Sequence, residues 1–111
     1  MQRLFVDADL LLTPTVATPA PPAPQDQFAP LMVDGTPLGD LRAAWYTYTI
    51  PFNMTGHPAI SIPFGRSRAG LPIGLHFVAP WYEEAHLIQL AQAFDAETGA
   101  SLEFPPGFSP T

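Results

Sequence analysis

The sequence lacks two residue types that carry much of protein chemistry. Its 111 residues include no cysteine, which excludes disulfides, thiolate nucleophiles and cysteine-ligated zinc. The four cationic side chains are all arginines, at positions Arg3, Arg42, Arg66 and Arg68. Because there is no lysine, the chain has no lysine base, no Schiff-base former and no lysine to anchor a phosphate.

Charge is also scarce, and most of it is acidic. Charged residues make up 13% of the chain, and 10 acidic against 4 basic side chains give a net charge of −6. A chain with this balance binds polyanions poorly, so we expect neither nucleic acid nor a membrane as a partner. The hydrophobic content of 47% excludes a highly charged disordered chain. At this length we expect one domain with one modest core.

Long apolar runs are missing, whereas proline is abundant. No apolar stretch approaches the roughly 20 residues of a membrane span. Asp7 and Asp9 interrupt the apolar region that a signal peptide would need after Arg3, so we expect a cytoplasmic protein. Six of the 15 prolines lie between Pro14 and Pro30. Because proline lacks an amide donor and fixes φ, residues 14–37 are predicted to form an extended loop.

Three further segments have the patterns of regular structure. Residues 9–13 form a short apolar run, which predicts a strand buried on both faces, as in a parallel sheet. A helix is predicted from Asp40, a good N-cap, to about Asn53, with Pro51 ending or kinking its last turn. A last helix is predicted to begin near Glu83 and to end at Gly99, in the C′ position.

Residues 59–64 and 72–78 alternate apolar and small or polar side chains around a turn-rich segment, residues 65–70. This pattern predicts an antiparallel hairpin, and the simplest register pairs Ile62 with Ile73. Ile60, Ile62 and Leu75 would then share one face. The expected fold class is therefore α/β, with a mixed sheet that contains this hairpin and is packed by two helices.

No catalytic constellation is evident from the residues alone. Ser67 lies in a near-miss of the G-x-S-x-G nucleophile elbow, but Ala69 replaces the last glycine and a strand follows instead of a helix. His57, His76 and His86 have no spacing that would bring two of them to one helix face. We therefore predict no metal site and no cofactor.

Two blocks of the sequence carry a resemblance to a known family. Residues 51–65, PFNMTGHPAISIPFG, and residues 70–80, GLPIGLHFVAP, resemble the C-terminal part of the amidase signature family. Residues 9–15, DLLLTPT, and residues 84–94, EAHLIQLAQAF, are similar to further blocks of that family. The resemblance covers nearly the whole chain. It implies that residues 1–111 form a single partial domain of a three-layer α/β/α amidase fold.

The resemblance also implies what the chain does not contain. The family hydrolyses amides with a Ser–cis-Ser–Lys triad, which lies upstream of these blocks, so no catalytic residue is assigned here. We expect the C-terminal segment of an amidase that is inactive alone. Five residues are expected on the wall of the substrate pocket: Asn53, Thr55 and Gly56 match motif positions, whereas Trp45 and Tyr48 are chosen for their aromatic character.

Two alternatives remain open at this point. The chain could be one half of a split amidase whose triad comes from another polypeptide, or a non-catalytic binding or assembly module. A small amide is expected as a ligand only if a complementing chain is present. Strands taken from a large sheet leave open edges and an apolar face, so we expect a homo-oligomer or a complex with a complementing amidase chain.

Overall fold

The chain builds two separate antiparallel sheets, which are flanked by short helices and one longer helix. The computed structural model describes residues 1–99 and Gly107. In chain order, these residues form a 3-10 helix (Gln2–Val6), β1 (Leu11–Pro14), β2 (Pro30–Val33), β3 (Thr36–Asp40), α1 (Leu41–Trp45), α2 (Ile50–Thr55), β4 (Ala59–Arg66), β5 (Pro72–Val78) and α3 (Glu84–Thr98). This mixture of strands and helices confirms the expected α/β class.

The larger sheet places β5 between β1 and β4, with both neighbours antiparallel to it. The predicted antiparallel hairpin is therefore present. The prediction of a doubly buried, parallel-type strand at residues 9–13 is wrong, because β1 pairs antiparallel at the edge and Leu12 is 57% exposed. An edge strand in a three-stranded sheet has too few neighbours to be covered on both faces.

The register of the hairpin differs from the predicted one by two residues. Ile62 lies opposite Leu75 instead of Ile73, and the ladder shifts between Pro63 and Gly65, where β4 carries one extra residue. The sequence pattern does not reveal such a bulge. Because side chains alternate with a period of two, a shift of two residues leaves the apolar rows on the predicted face.

A different helix packs on each face of this sheet. On one face lie Ile60 and Ile62, and α3 packs there through Leu87, which is buried. On the other face lies His76, and α2 covers it with Phe52, whose ring centroid is 5.7 Å from that of the imidazole. One core forms on each side of a single small sheet.

The predicted helix over residues 40–53 is two helices. Asp40 is the N-cap, since its Oδ1 accepts a hydrogen bond from the Ala43 N–H at 2.6 Å. The helix then breaks, and α2 begins at Ile50. Pro51 lies in the first turn of α2, where its missing N–H costs nothing, so it starts this helix and does not end one. The last helix is confirmed, with Gly99 in the left-handed conformation at its end.

A second sheet interrupts the predicted loop over residues 14–37. Its strands β2 and β3 are joined by Asp34 and Gly35, whose φ values of 49° and 79° correspond to a type I′ turn. Val33 lies opposite Thr36 at the turn. We call this two-stranded sheet, residues 30–40, the ribbon. Asp-Gly is a strong hairpin signal, but the high proline content around it favoured a loop.

Each open edge of the larger sheet has a proline whose backbone is directed away from β5. The Thr15 N–H donates to the Gly74 carbonyl at 3.0 Å, so alternate β1 residues pair with β5 and Pro14 directs its backbone outward. The same alternation places Pro63 at an outward position of β4. Because proline has no N–H, both edges offer few donors to a further strand. No helix among the described residues is long and apolar enough to cross a membrane.

Candidate functional site

The most tightly organised group of side chains surrounds His57, which is only 6% exposed. Its ring is stacked between Phe5, with centroids 5.4 Å apart, and Trp81, at 5.0 Å. Phe52 meets the imidazole edge-on at 6.4 Å. The stack joins three distant parts of the chain: the 3-10 helix, the end of α2 and the turn between β5 and α3.

Both ring nitrogens of His57 have hydrogen-bond partners. Nε2 lies 2.9 Å from Gln2 Oε1, and Nδ1 lies 2.8 Å from Thr55 Oγ1. The Thr55 hydroxyl donates its single proton to the Pro51 carbonyl at 2.9 Å, so His57 Nδ1–H donates to Thr55 Oγ1. The ring is neutral when the Gln2 side-chain amide turns its NH2 group toward Nε2. Burial lowers the pKa of His57, which favours the same neutral form.

Thr55 is held by its backbone as well as by its side chain. The indole N–H of Trp81 donates to the Thr55 carbonyl at 2.9 Å. The next residue, Gly56, has a φ of 67° and ends α2 in the left-handed conformation. The polar groups of Thr55 therefore hold the turn at the end of α2 in place.

His76 lies on the polar face of the larger sheet. This histidine is buried, and its Nδ1 lies 3.2 Å from Thr13 Oγ1. Burial lowers the pKa of His76, so its ring is also neutral near pH 7. Beside it, the hydroxyls of Thr15 and Ser61 meet at 2.6 Å across Gly74. A Cβ on Gly74 would lie 2.6 Å from Thr15 Oγ1 and 2.8 Å from Ser61 Oγ, so a larger residue at this position would displace these hydroxyls.

This face places a serine beside a neutral imidazole, because Ser61 lies directly opposite His76 in the register. A nucleophile is activated when its hydroxyl is hydrogen-bonded to the base. Here the Ser61 hydroxyl is bonded to Thr15 instead, and no described hydrogen bond joins it to His76. Ser67 Oγ accepts the Leu71 N–H at 3.2 Å in the hairpin loop. Neither serine is therefore arranged as a nucleophile.

The five predicted pocket residues lie on one continuous segment. Trp45 ends α1, Tyr48 lies in the link that follows, Asn53 and Thr55 belong to α2, and Gly56 caps it. Their burial differs. Asn53 and Gly56 are exposed, whereas the other three are partly buried. The Trp45 indole N–H is itself buried and has no hydrogen-bond partner among the described residues. The assignment of these residues to a substrate pocket stays a prediction.

Gly56 also lines an open groove of about 290 Å³ together with Trp81, Tyr82 and Glu84. The sequence does not predict the stack around His57, because Phe5, His57 and Trp81 are far apart in the chain. Such contacts leave no periodic signal. Within the described residues, no group of three or more His, Asp or Glu side chains could hold a metal ion.

Comparison with known proteins identifies the family. A sequence model described as Amidase matches residues 1–88. The chain belongs to the amidase family. A glutamyl-tRNA(Gln) amidotransferase subunit of a Synechococcus species, strain RCC307, is 42% identical over 93 residues, which are 84% of this chain and 17% of that protein. The corresponding protein of Thermus thermophilus is 39% identical over 109 residues, which are 96% of this chain and 20% of that protein.

Solved structures support the same family fold. The structure of 6-aminohexanoate cyclic dimer hydrolase complexed with substrate matches with a TM-score of 0.74 and 32% identity, covering 95% of this chain and 23% of the hydrolase. A crystal structure of an amidase matches with a TM-score of 0.71 and 29% identity, covering 86% of this chain and 22% of the other. The chain spans about a fifth of the length of these relatives and has part of an amidase fold.

Proposed function

We propose that this chain is the C-terminal scaffold of an amide hydrolase, and that the nucleophile and base come from polypeptide outside these 111 residues. The observation that carries this proposal is the absence of lysine from a chain of the amidase family, together with the structural hydrogen bonds of Ser61 and Ser67, the two serines within the described residues. Acyl transfer needs an activated nucleophile and a group that accepts its proton. The chain alone therefore hydrolyses no amide.

In the assembled enzyme, the turn at the end of α2 forms part of the wall of the substrate pocket. Two observations support this role. The turn is fixed by the stack on His57 and by the Trp81–Thr55 hydrogen bond, and the side chain of Asn53 is exposed. A rigid element that presents an exposed amide side chain suits the positioning of a small amide substrate.

A hydrolysis assay tests the proposal. The purified chain is assayed with 6-aminohexanoate cyclic dimer and with simple primary amides, alone and mixed with 6-aminohexanoate cyclic dimer hydrolase from which the matched region has been removed. We expect neither polypeptide to hydrolyse the dimer alone and the mixture to do so. The Leu87→Asp variant, which places a charge where α3 packs on the sheet, should not restore hydrolysis. The matched variant Ile88→Asp, on the exposed side of α3, should do so.

Hydrolysis by the chain alone would contradict the proposal if it disappeared with Ser61→Ala or with His76→Gln. That result would mean that the serine and imidazole on the polar face of the sheet rearrange into a nucleophile and its base. Ser67→Ala, in the hairpin loop, is the control for a serine away from any histidine.

A further inference from the structure

The position of α2 depends on few contacts. This helix has only six residues, and isolated helices so short are not stable in water. Among the described elements, its backbone packs less closely on its neighbours than the backbones of α1 and α3 do. Its buried side chain is Phe52, which packs against His76 of the larger sheet. The turn at the end of α2 therefore needs further contacts to keep one position.

A series of hydrogen bonds supplies such contacts, and it begins in the 3-10 helix. The Gln2 side-chain amide lies 2.9 Å from His57 Nε2, and His57 Nδ1–H donates to Thr55 Oγ1 at 2.8 Å. The Thr55 hydroxyl donates in turn to the Pro51 carbonyl at 2.9 Å, in the first turn of α2. We call the side chains of Gln2, His57 and Thr55 the bridge. It connects both ends of α2 to the 3-10 helix.

An amide at position 2 suits a contact that has to persist. A side-chain amide has both a donor and an acceptor group, so Gln2 can donate to Nε2 of a neutral imidazole or accept from Nε2–H of a protonated one. Thr55 Oγ1 accepts from Nδ1–H in both cases, because its own proton goes to the Pro51 carbonyl. A carboxylate or an ammonium group in place of the amide would fit only one of the two states. The bridge therefore stays closed whichever state the ring adopts.

The groove beside the turn depends on the same contacts. Gly56 follows Thr55 in the left-handed conformation and lines the open groove of about 290 Å³ together with Trp81. The Trp81 ring stacks on His57, and its N–H donates to the Thr55 carbonyl. A displacement of the imidazole would therefore move two of the residues that line the groove.

We propose that Gln2 is a positioning residue for the substrate pocket. Through the His57 imidazole, Gln2 holds the turn at the end of α2, so that Asn53 and Gly56 meet the amide substrate in one arrangement. This inference rests on the proposed function, which assigns the turn to the wall of the pocket. Because Gln2 acts on the substrate only through the turn, its loss weakens binding of the substrate and of the transition state equally. Such a loss raises KM and leaves kcat unchanged.

Two measurements on Gln2→Met test the proposal. Methionine is similar in size to glutamine but has no N–H donor, and Gln2 is exposed, so the substitution creates no cavity. In NMR hydrogen exchange of the chain alone, the Gly56 amide and the Trp81 indole N–H should exchange about two- to tenfold faster, because both donate to carbonyls of α2. In the hydrolysis assay with the truncated hydrolase, KM should rise about two- to tenfold at an unchanged kcat.

Two further variants complete the test. Gln89→Met, the same substitution at an exposed position of α3, is the matched control and should change exchange and KM less than about 1.5-fold. The His57→Phe background has no ring nitrogen for Gln2 to contact. Adding Gln2→Met in this background should therefore change exchange and KM less than about 1.5-fold.

Three results would overturn the proposal. Exchange in Gln2→Met could equal that in Gln89→Met, or exchange could be faster while KM stays the same, which would leave Gln2 with a structural role alone. The effect of Gln2→Met could also be undiminished in the His57→Phe background. Circular dichroism establishes that each variant is folded, and if His57→Phe unfolds, the two measurements on Gln2→Met decide.

The outcomes also separate this inference from the proposed function. If the wild-type chain and Gln2→Met restore hydrolysis with the same KM, the proposed function stands and only the role of Gln2 is refuted. If the wild-type chain restores no hydrolysis, both are contradicted.

Discussion

Replacing His57 by alanine should be among the most destabilising substitutions in this chain. The substitution removes two stacked ring contacts, with Phe5 and Trp81, each worth about 0.5–1.5 kcal/mol. It also removes two hydrogen bonds, to Gln2 and Thr55, each worth about 0.5–1.5 kcal/mol. Because contacts within one cluster are not additive, we expect a loss of about 2–4 kcal/mol in the free energy of unfolding.

Two further variants separate the contributions of the ring and of its nitrogens. His57→Phe keeps an aromatic ring in the stack but leaves Gln2 and Thr55 without their partner. His57→Gln keeps polar atoms near both partners but removes the stack. Both should lose about 1–2 kcal/mol, less than alanine does. His86→Ala is the control, because this side chain is 64% exposed and its pairing with Glu83 is a surface contact. It should change stability by less than about 0.5 kcal/mol.

Urea unfolding measures these differences, followed in parallel by tryptophan fluorescence and far-UV circular dichroism. Trp81 reports directly on the stack, because its ring lies against the imidazole. A loss of less than about 0.5 kcal/mol for His57→Ala, no different from His86→Ala, would refute the reasoning. It would mean that the 3-10 helix and the turn after β5 are not joined through His57 in solution.

Three other predictions concern Gly74, the two buried histidines and Tyr82. Gly74→Ala should destabilise the chain by about 1–3 kcal/mol, and adding Thr15→Ala should recover part of that loss, because the Thr15 hydroxyl is the nearest atom to the new Cβ. Burial lowers the pKa of both His57 and His76, so the unfolded chain binds protons more readily than the folded chain. The urea midpoint should therefore be highest above about pH 6.5 and should fall as the pH is lowered toward 5. A midpoint that rises over that range would contradict this. Tyr82→Gly should raise the free energy of unfolding by about 1 kcal/mol, because Tyr82 has a φ of 70° and is almost fully exposed; a decrease would show that its ring makes a stabilising contact.

Elements with local signals were predictable from the sequence. The last helix has acidic residues at its start and Gly99 at its end, and both bounds are close to those observed. The Asp40 cap was predictable for the same reason, because the side chain acts on the backbone three residues away. Capping and helix-end signals act between residues that are close in sequence, so the sequence alone reveals them.

The break between α1 and α2 shows where local reasoning fails. Leu41 and Phe52 are both buried, at positions that fit one continuous helix. In the link, however, the Thr47 hydroxyl donates to the Ala43 carbonyl at 3.1 Å and the Thr49 hydroxyl approaches the Tyr46 carbonyl at 3.4 Å. Threonine hydroxyls compete with helical N–H groups for carbonyls, which favours a turn here. Spacing of apolar residues does not measure this competition.

The positions of the prolines change the expectation about which surface of the chain contacts a partner. The sequence predicts unpaired strands whose edges invite pairing with another chain. The registers instead place Pro14, Pro63 and Pro37 at outward positions on three of the four open edges. An incoming strand would find a missing donor at each of these points, so edge pairing offers little energy. Any partner, whether the rest of an amidase or a second copy, should therefore bind through apolar side chains on sheet and helix faces, and its affinity should depend more on substitutions there than on salt.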